Sequence, residues 1–304
     1  MLGNIRNGSK NNTLFKIFCG CLSAALLFSV SCSSASPSEN LSESPAESAV
    51  TEDVSITPEA SPTPDPNVTP ETVDLSQYSD LPLPQLDPIA DGEEIALLHT
   101  SLGVIKVRFF PDYAPKAVQN FKTLAKSGYY NGVTFHRVIE DSVIQTGDPT
   151  GTGAGGQSIW GQPFASETSP CLHNIYGALS MVLGEDASSQ GSQFFIVSNN
   201  QLSDETKTEI ESYKDKQNQV AGEMADGTKV PMAQLFPEKI IDKYLEVGGV
   251  PGLDFMYAVF AQVFDGFDTV DKISSAETSQ EEETMNKPLT DIVIEEITFE
   301  SYSA

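Results

Sequence analysis

Two short runs of the chain hold polar side chains whose types and spacing could do chemistry. The first is Phe135-His136-Arg137-Val138-Ile139, followed by Gln145, Gly147 and Asp148. The second is Gly191-Ser192-Gln193-Phe194-Phe195, preceded by Leu179-Ser180-Met181. Arg137 has the most to offer. A guanidinium is always charged and donates hydrogen bonds from a rigid planar fork. It can stabilise an electron pair that exists only in a transition state, with no proton to transfer. Gln145 and Gln193 add amides that both donate and accept, and Phe195 adds apolar surface.

Other chemistries lack their residues. His99, His136 and His173 are widely spaced with no metal-ligand pattern, and Cys171 stands alone in the body of the chain. Neither a metal nor a cofactor is expected. The glycine-rich stretch Gly151–Gly161 lacks the Lys-Ser/Thr ending of a phosphate-binding loop and opens no helix, so it reads as a long surface loop. The formal net charge is −26, and no Lys or Arg occurs between Lys16 and Lys106. Such a chain repels phosphate backbones, which excludes nucleic acid as a partner. The same charge favours a monomer.

The elements that must position these residues can be read from pattern. Ile95–Thr100 and Val104–Phe110 read as strands flanking a Ser-Leu-Gly turn. Pro115 opens a helix in which Val118, Phe121, Leu124 and Ala125 recur at helical spacing, with Gly128 at its end. Val133–Ile139, Val143–Gln145, Ala178–Met181 and Phe194–Val197 read as strands. Residues Gln201 to Gly249 break this pattern, with helix starts expected at Ser203-Asp204-Glu205 and Pro237. Strand returns at Met256–Val263, a short helix follows at Phe267–Ile273, and Ile292–Phe299 closes the chain as strand. Many strands with two principal helices indicate a mainly β barrel with helical caps and a helical insertion at about 201–250.

Together the two runs resemble the signatures of the cyclophilins, and the order fits from about Glu94 to Phe299 apart from the insertion. The resemblance implies a closed antiparallel eight-stranded barrel and peptidyl-prolyl cis-trans isomerase activity on proline-containing polypeptides. It implies Arg137 and Gln145 as catalytic. It implies Phe135, His136, Val143, Leu183, Gln193, Phe195, Leu253 and Tyr257 as substrate-binding, with His136 carrying no proton because the reaction moves none. Several positions depart from the family: Ser142 and Val143 replace an aromatic and a Met, Tyr257 replaces a His, and Gly252 replaces an aromatic. The stretch from Val182 to Ser189 is one residue longer than usual. A low-turnover proline-peptide binding module or chaperone is therefore the alternative to an active isomerase. The insertion enters beside the groove, as a wall or lid or as a remote decoration.

The N-terminus reads as an address. Arg6, Lys10 and Lys16 precede the apolar run Ile17–Val30, which is short for a membrane-spanning helix of about 20 residues. It ends at Val30-Ser31-Cys32, which resembles the lipobox of bacterial lipoproteins. Residues 1–31 are thus expected to be a signal peptide and Cys32 the lipidated N-terminus. Residues 32–90, built largely from Ser, Pro, Glu, Thr and Asp, are expected to form a disordered tether. That leaves 91–302 as the folded domain, held at the extracytoplasmic face of a bacterial membrane.

Overall fold

A computed structural model describes residues 70–184, 189–224 and 226–304. The expected signal peptide, Cys32 and most of the expected tether lie outside the described residues. Two hairpin-forming strands come first, β1 (Glu94–Thr100) and β2 (Gly103–Phe109), followed by helix α1 (Pro115–Lys126). Then come β3 (Arg137–Ile139), β4 (Val143–Thr146), β5 (Phe164–Ala165), β6 (Ala178–Leu183) and β7 (Ser189–Val197). The excursion after β7 holds α2 (Asp204–Ser212), the small pair β8 (Val220–Glu223) and β9 (Lys229–Pro231), α3 (Met232–Leu235) and α4 (Glu238–Val247). The chain ends through β10 (Val259–Asp265), α5 (Phe267–Ser274) and β11 (Ile294–Ser301).

Eight antiparallel strands run in the order β11-β1-β2-β10-β6-β7-β4-β3, and β5 adds to β7 from the side. The sheet curls into a half-barrel but its ladder does not close, which corrects the expected closed barrel. The end strands β3 and β11 are not paired with each other. The reason is local. Residues 133–136, expected as strand, are not in β3, and they meet the entry to β11 through single hydrogen bonds. Gly132 N–H donates to Ile294 O, Ile294 N–H to Val133 O and Phe135 N–H to Ile292 O, at 2.7 to 2.9 Å.

Side chains of a strand alternate between its two faces, so the pleat sorts this sheet into a core face and a second face. Val138, Ile144, Phe194, Ile196, Leu179 and Met181 all point into the main core. Helix α1 closes over that core with Phe121, whose ring lies 5.3 to 5.4 Å from those of Tyr130, Phe194 and Phe260. Proline at its first position suits a helix start, since the missing N–H would have no intrahelical partner. Helix α5 packs against β2, β3 and β4. The two expected capping helices are therefore α1 and α5.

The excursion is not only helical. The pair β8–β9 was not expected, because its short runs carry little apolar alternation. Ile210, Tyr213, Ile240, Ile241 and Tyr244 form a separate small core there with Ile175 and Leu202. The segment before β1 joins it, so the described residues from about 70 to 90, expected as tether, pack on the folded body. Leu83 and Leu86 pack against the excursion's core, Val73 N–H donates to Asn218 O and Val220 N–H to Glu71 O. Buried Gln85 accepts from the His173 N–H at 2.7 Å and donates to His173 O at 2.8 Å. The polar composition of this arm hid its anchors.

Candidate active site

The polar half of the site is a row across three paired strands. Arg137 on β3 stands opposite Gln145 on β4, which stands opposite Phe195 on β7. All three share the sheet face turned away from the main core, and Val143, two residues before Gln145, shares it too. The side chains form a directed chain. Arg137 Nη1 lies 3.5 Å from Gln145 Oε1, the long limit of a hydrogen bond. Gln145 Nε2 donates to Gln193 Oε1 at 2.9 Å, and Gln193 Nε2 donates to Gly153 O and Gly155 O, each at 2.8 Å. Each amide is thereby fixed in orientation, with the Gln145 oxygen facing the guanidinium.

The Gly-rich loop that receives Gln193 is itself held by Asp148. This buried carboxylate accepts from Thr150, Thr152, Gly153 and Gly155 N–H at 2.8 to 3.1 Å. These bonds hold its pKa below the ordinary carboxylate value even though burial pushes the other way. Glycine is required at 155, where a Cβ would collide with Asp148 Oδ1, and at 147, where φ is +90°. Sequence reasoning placed Asp148 in the motif without assigning it this task. Its signal was the cluster of Thr and Gly that follows it.

The apolar half is a second cluster outside the main core. Val143, Phe195, Val197, Leu253 and Val259 pack with Phe110 and Leu172, and Tyr257, Val182 and Tyr113 close in at the edge. The Phe195 and Tyr257 rings meet edge to face at 5.3 Å and 80°. Tyr257 and Arg137 act on each other electrostatically: the guanidinium lowers the phenol's pKa, against the larger upward push of burial. Burial also lowers the pKa of Arg137, but the guanidinium remains charged. A charged fork thus borders an apolar surface, with phenol and aromatic ring at hand.

Three expected residues are placed otherwise. Phe135 is 1% exposed and belongs to the main core, because the chain there crosses toward Ile292 and turns the ring inward. His136 is buried behind the Gly-rich loop, beside Thr134 and Gln193. Desolvation holds its pKa below the ordinary value. Leu183 lies opposite Gln190 and joins neither apolar cluster. A register shift between Met181 and Leu183 changes which side chain faces the pocket, and Val182 takes that place. Gly252 is exposed, so no side chain covers the pocket from that position.

Residues 95–299 match the family model described as cyclophilin-type peptidyl-prolyl cis-trans isomerase. The chain belongs to that family. A relative from Staphylococcus saprophyticus, named for peptidyl-prolyl cis-trans isomerase activity, is 43% identical over 215 residues, covering 70% of this chain and 96% of its own. One from Staphylococcus aureus with the same name is 41% identical over 218 residues, covering 71% and 98%. Among solved structures, a cyclophilin-type isomerase from Cryptosporidium parvum superposes with a TM-score of 0.50 at 28% identity, covering 69% of this chain and 99% of that one. The cyclophilin reading of the two motifs therefore holds, and the chain is a peptidyl-prolyl cis-trans isomerase.

Proposed function

We propose that the groove catalyses X–Pro rotation by holding the proline ring on its apolar half while Arg137 engages the twisted amide. The row Arg137–Gln145–Phe195 carries this reading, because it sets a charged donor beside an apolar floor. Resonance gives the X–Pro bond a barrier of about 18–20 kcal/mol, while its isomers differ by only about 0.5–1 kcal/mol. Only the twisted state needs help. There the prolyl nitrogen becomes pyramidal and gains a lone pair that the planar amide lacks. A guanidinium fork can donate to that lone pair in the transition state and not in the ground state, which lowers the barrier without tightening substrate binding. Partial burial strengthens the interaction by removing competing water. Gln145 keeps the fork aimed, and Phe195, Val143, Leu253 and Tyr257 hold the ring. A prolyl exchange assay tests this. Arg137→Ala should lose turnover and keep peptide binding, whereas equal rates in wild type and variant would overturn the assignment.

The setting is inferred from Val30-Ser31-Cys32 and the Ser/Pro-rich stretch after it. In this reading Cys32 is acylated, and the folded body works as a monomer on newly exported proteins at the extracytoplasmic face of a bacterial membrane. The intact mass of membrane-extracted protein tests the anchor. A mass that retains residues 1–31, or lacks added acyl chains, would contradict it.

A further inference from the structure

The apolar wall of the groove has an anchor that neither motif contains. Leu253 ends a short 3-10 helix (Pro251–Leu253) and Tyr257 follows the turn after it, both between α4 and β10 and outside any strand. Asp254, between them, is 7% exposed, and its carboxylate is fully engaged. Tyr244 of α4 donates its hydroxyl to Oδ2 at 2.8 Å, and His173 Nδ1 lies 2.8 Å from the same oxygen. The Asn174 N–H and side-chain amide donate to Oδ1 at 2.6 and 3.0 Å. Tyr244 is 0% exposed, and burial beside Asp254 raises its pKa well above the ordinary value, so it stays a donor.

The next residue is held as well. Phe255 has φ +63°, a left-handed conformation that a bulky residue rarely adopts. Its ring meets Phe236, just after α3, edge to face at 5.7 Å, and His173 at 5.9 Å. Two neighbouring residues are thus each held by one aromatic residue of the excursion, Tyr244 or Phe236, together with His173 and Asn174. Among the described residues of 201–250, Val250 at its end packs against the apolar cluster of the groove, and the excursion's core residues belong to a separate cluster. The excursion stands behind the wall.

We propose that residues 201–250 are a positioning element for this wall, with Tyr244 and Phe236 as positioning residues acting through Asp254 and Phe255. Their contacts fix where Leu253 and Tyr257 meet the proline ring, and hence how tightly the groove takes an X–Pro peptide. This rests on the assignment of Leu253 and Tyr257 to the groove.

The test uses the purified full chain and an X–Pro tetrapeptide, with KM, kcat and thermal midpoint measured for four variants. Tyr244→Phe removes one hydroxyl and should raise KM about fivefold, less than the full worth of a hydrogen bond to a charged group because the loss reaches the groove only through Asp254, with kcat within about twofold. Phe255→Gly keeps a backbone that accepts positive φ but removes the ring, and should raise KM in the same way. Ile210→Val loosens the excursion's core without touching Asp254, and should lower the thermal midpoint while leaving KM unchanged. Unchanged KM in both Tyr244→Phe and Phe255→Gly overturns the proposal, as does an equal KM rise in Ile210→Val. The fourth variant, Arg137→Ala, separates the two readings. If it keeps wild-type turnover, the groove assignment itself fails; if it loses turnover while KM stays unchanged in Tyr244→Phe and Phe255→Gly, only the anchor fails.

Discussion

On one side of the groove Arg137, Gln145 and Phe195 stand opposite one another across three paired strands; on the other, Leu253 and Tyr257 ride on a turn. The first side is fixed by register. A slip of one residue would turn every one of those side chains into the core, so the hydrophobic pattern that builds the sheet also aims the donors. The second side has no ladder to fix it. Its placement comes from buried hydrogen bonds at Asp254 and from a ring held at Phe255, supplied partly by the excursion. The sides also differ chemically. In the proposed mechanism the donors of the strand-built side, Arg137 and Gln145, act most strongly in the transition state, whereas Phe195 and the turn-built side offer ground-state contact with the proline ring.

Breaking the strand-built side should cost most. Arg137→Ala should reduce kcat by about 10²-fold, the scale of losing one preorganised donor, with peptide affinity nearly unchanged. Asp148→Asn should come next. The amide would set N–H against the N–H groups of Gly153 and Gly155, now bonded to one carboxylate oxygen. The expected result is about a tenfold fall in kcat/KM, with faster hydrogen exchange at those two amides. Phe195→Leu sharpens the comparison from the apolar side. It keeps an apolar side chain of slightly smaller volume but removes the flat ring that meets Tyr257, so KM should rise several-fold while stability falls by about 0.5–3 kcal/mol.

The smallest effect concerns His136 and pH. Burial lowers its folded pKa from the ordinary 6.5. As pH falls through 6.5 the unfolded chain takes up a proton that the folded ring refuses. The stability tied to this ring is therefore full above that pH and is lost as pH drops to the lowered folded value. His136→Gln should make the fall of stability as pH drops below about 6.5 shallower, as read by denaturant unfolding. Turnover should show no matching step, since the rotation moves no proton.

What the sequence discloses follows the same division. Arg137, Gln145, Gln193 and Phe195 lie in two short motifs, and β pairing converts that spacing into adjacency, so the polar side was legible. The resemblance implies Phe135 as substrate-binding, whereas its ring lies in the main core, the stretch 133–136 being outside β3, which begins at Arg137. Leu183 was misplaced because a register shift has no local composition signal. The anchoring of Asp254 by Tyr244 and His173 joins residues 10 and 81 positions away. No periodicity links such partners. The ordered arm from about residue 70 was missed for a related reason: its contacts are made by a few residues, such as Gln85 and Leu86, within a polar stretch.

The central claim is that Arg137 acts on the twisted amide and contributes little to holding the planar one. Arg137→Lys keeps the positive charge and removes the fork. The decisive measurement is the on-enzyme cis/trans exchange rate of a saturating X–Pro peptide, read by NMR, together with the peptide's Kd. The account predicts an exchange rate slowed by about tenfold or more with Kd within about twofold. A raised Kd with an unchanged exchange rate would contradict it.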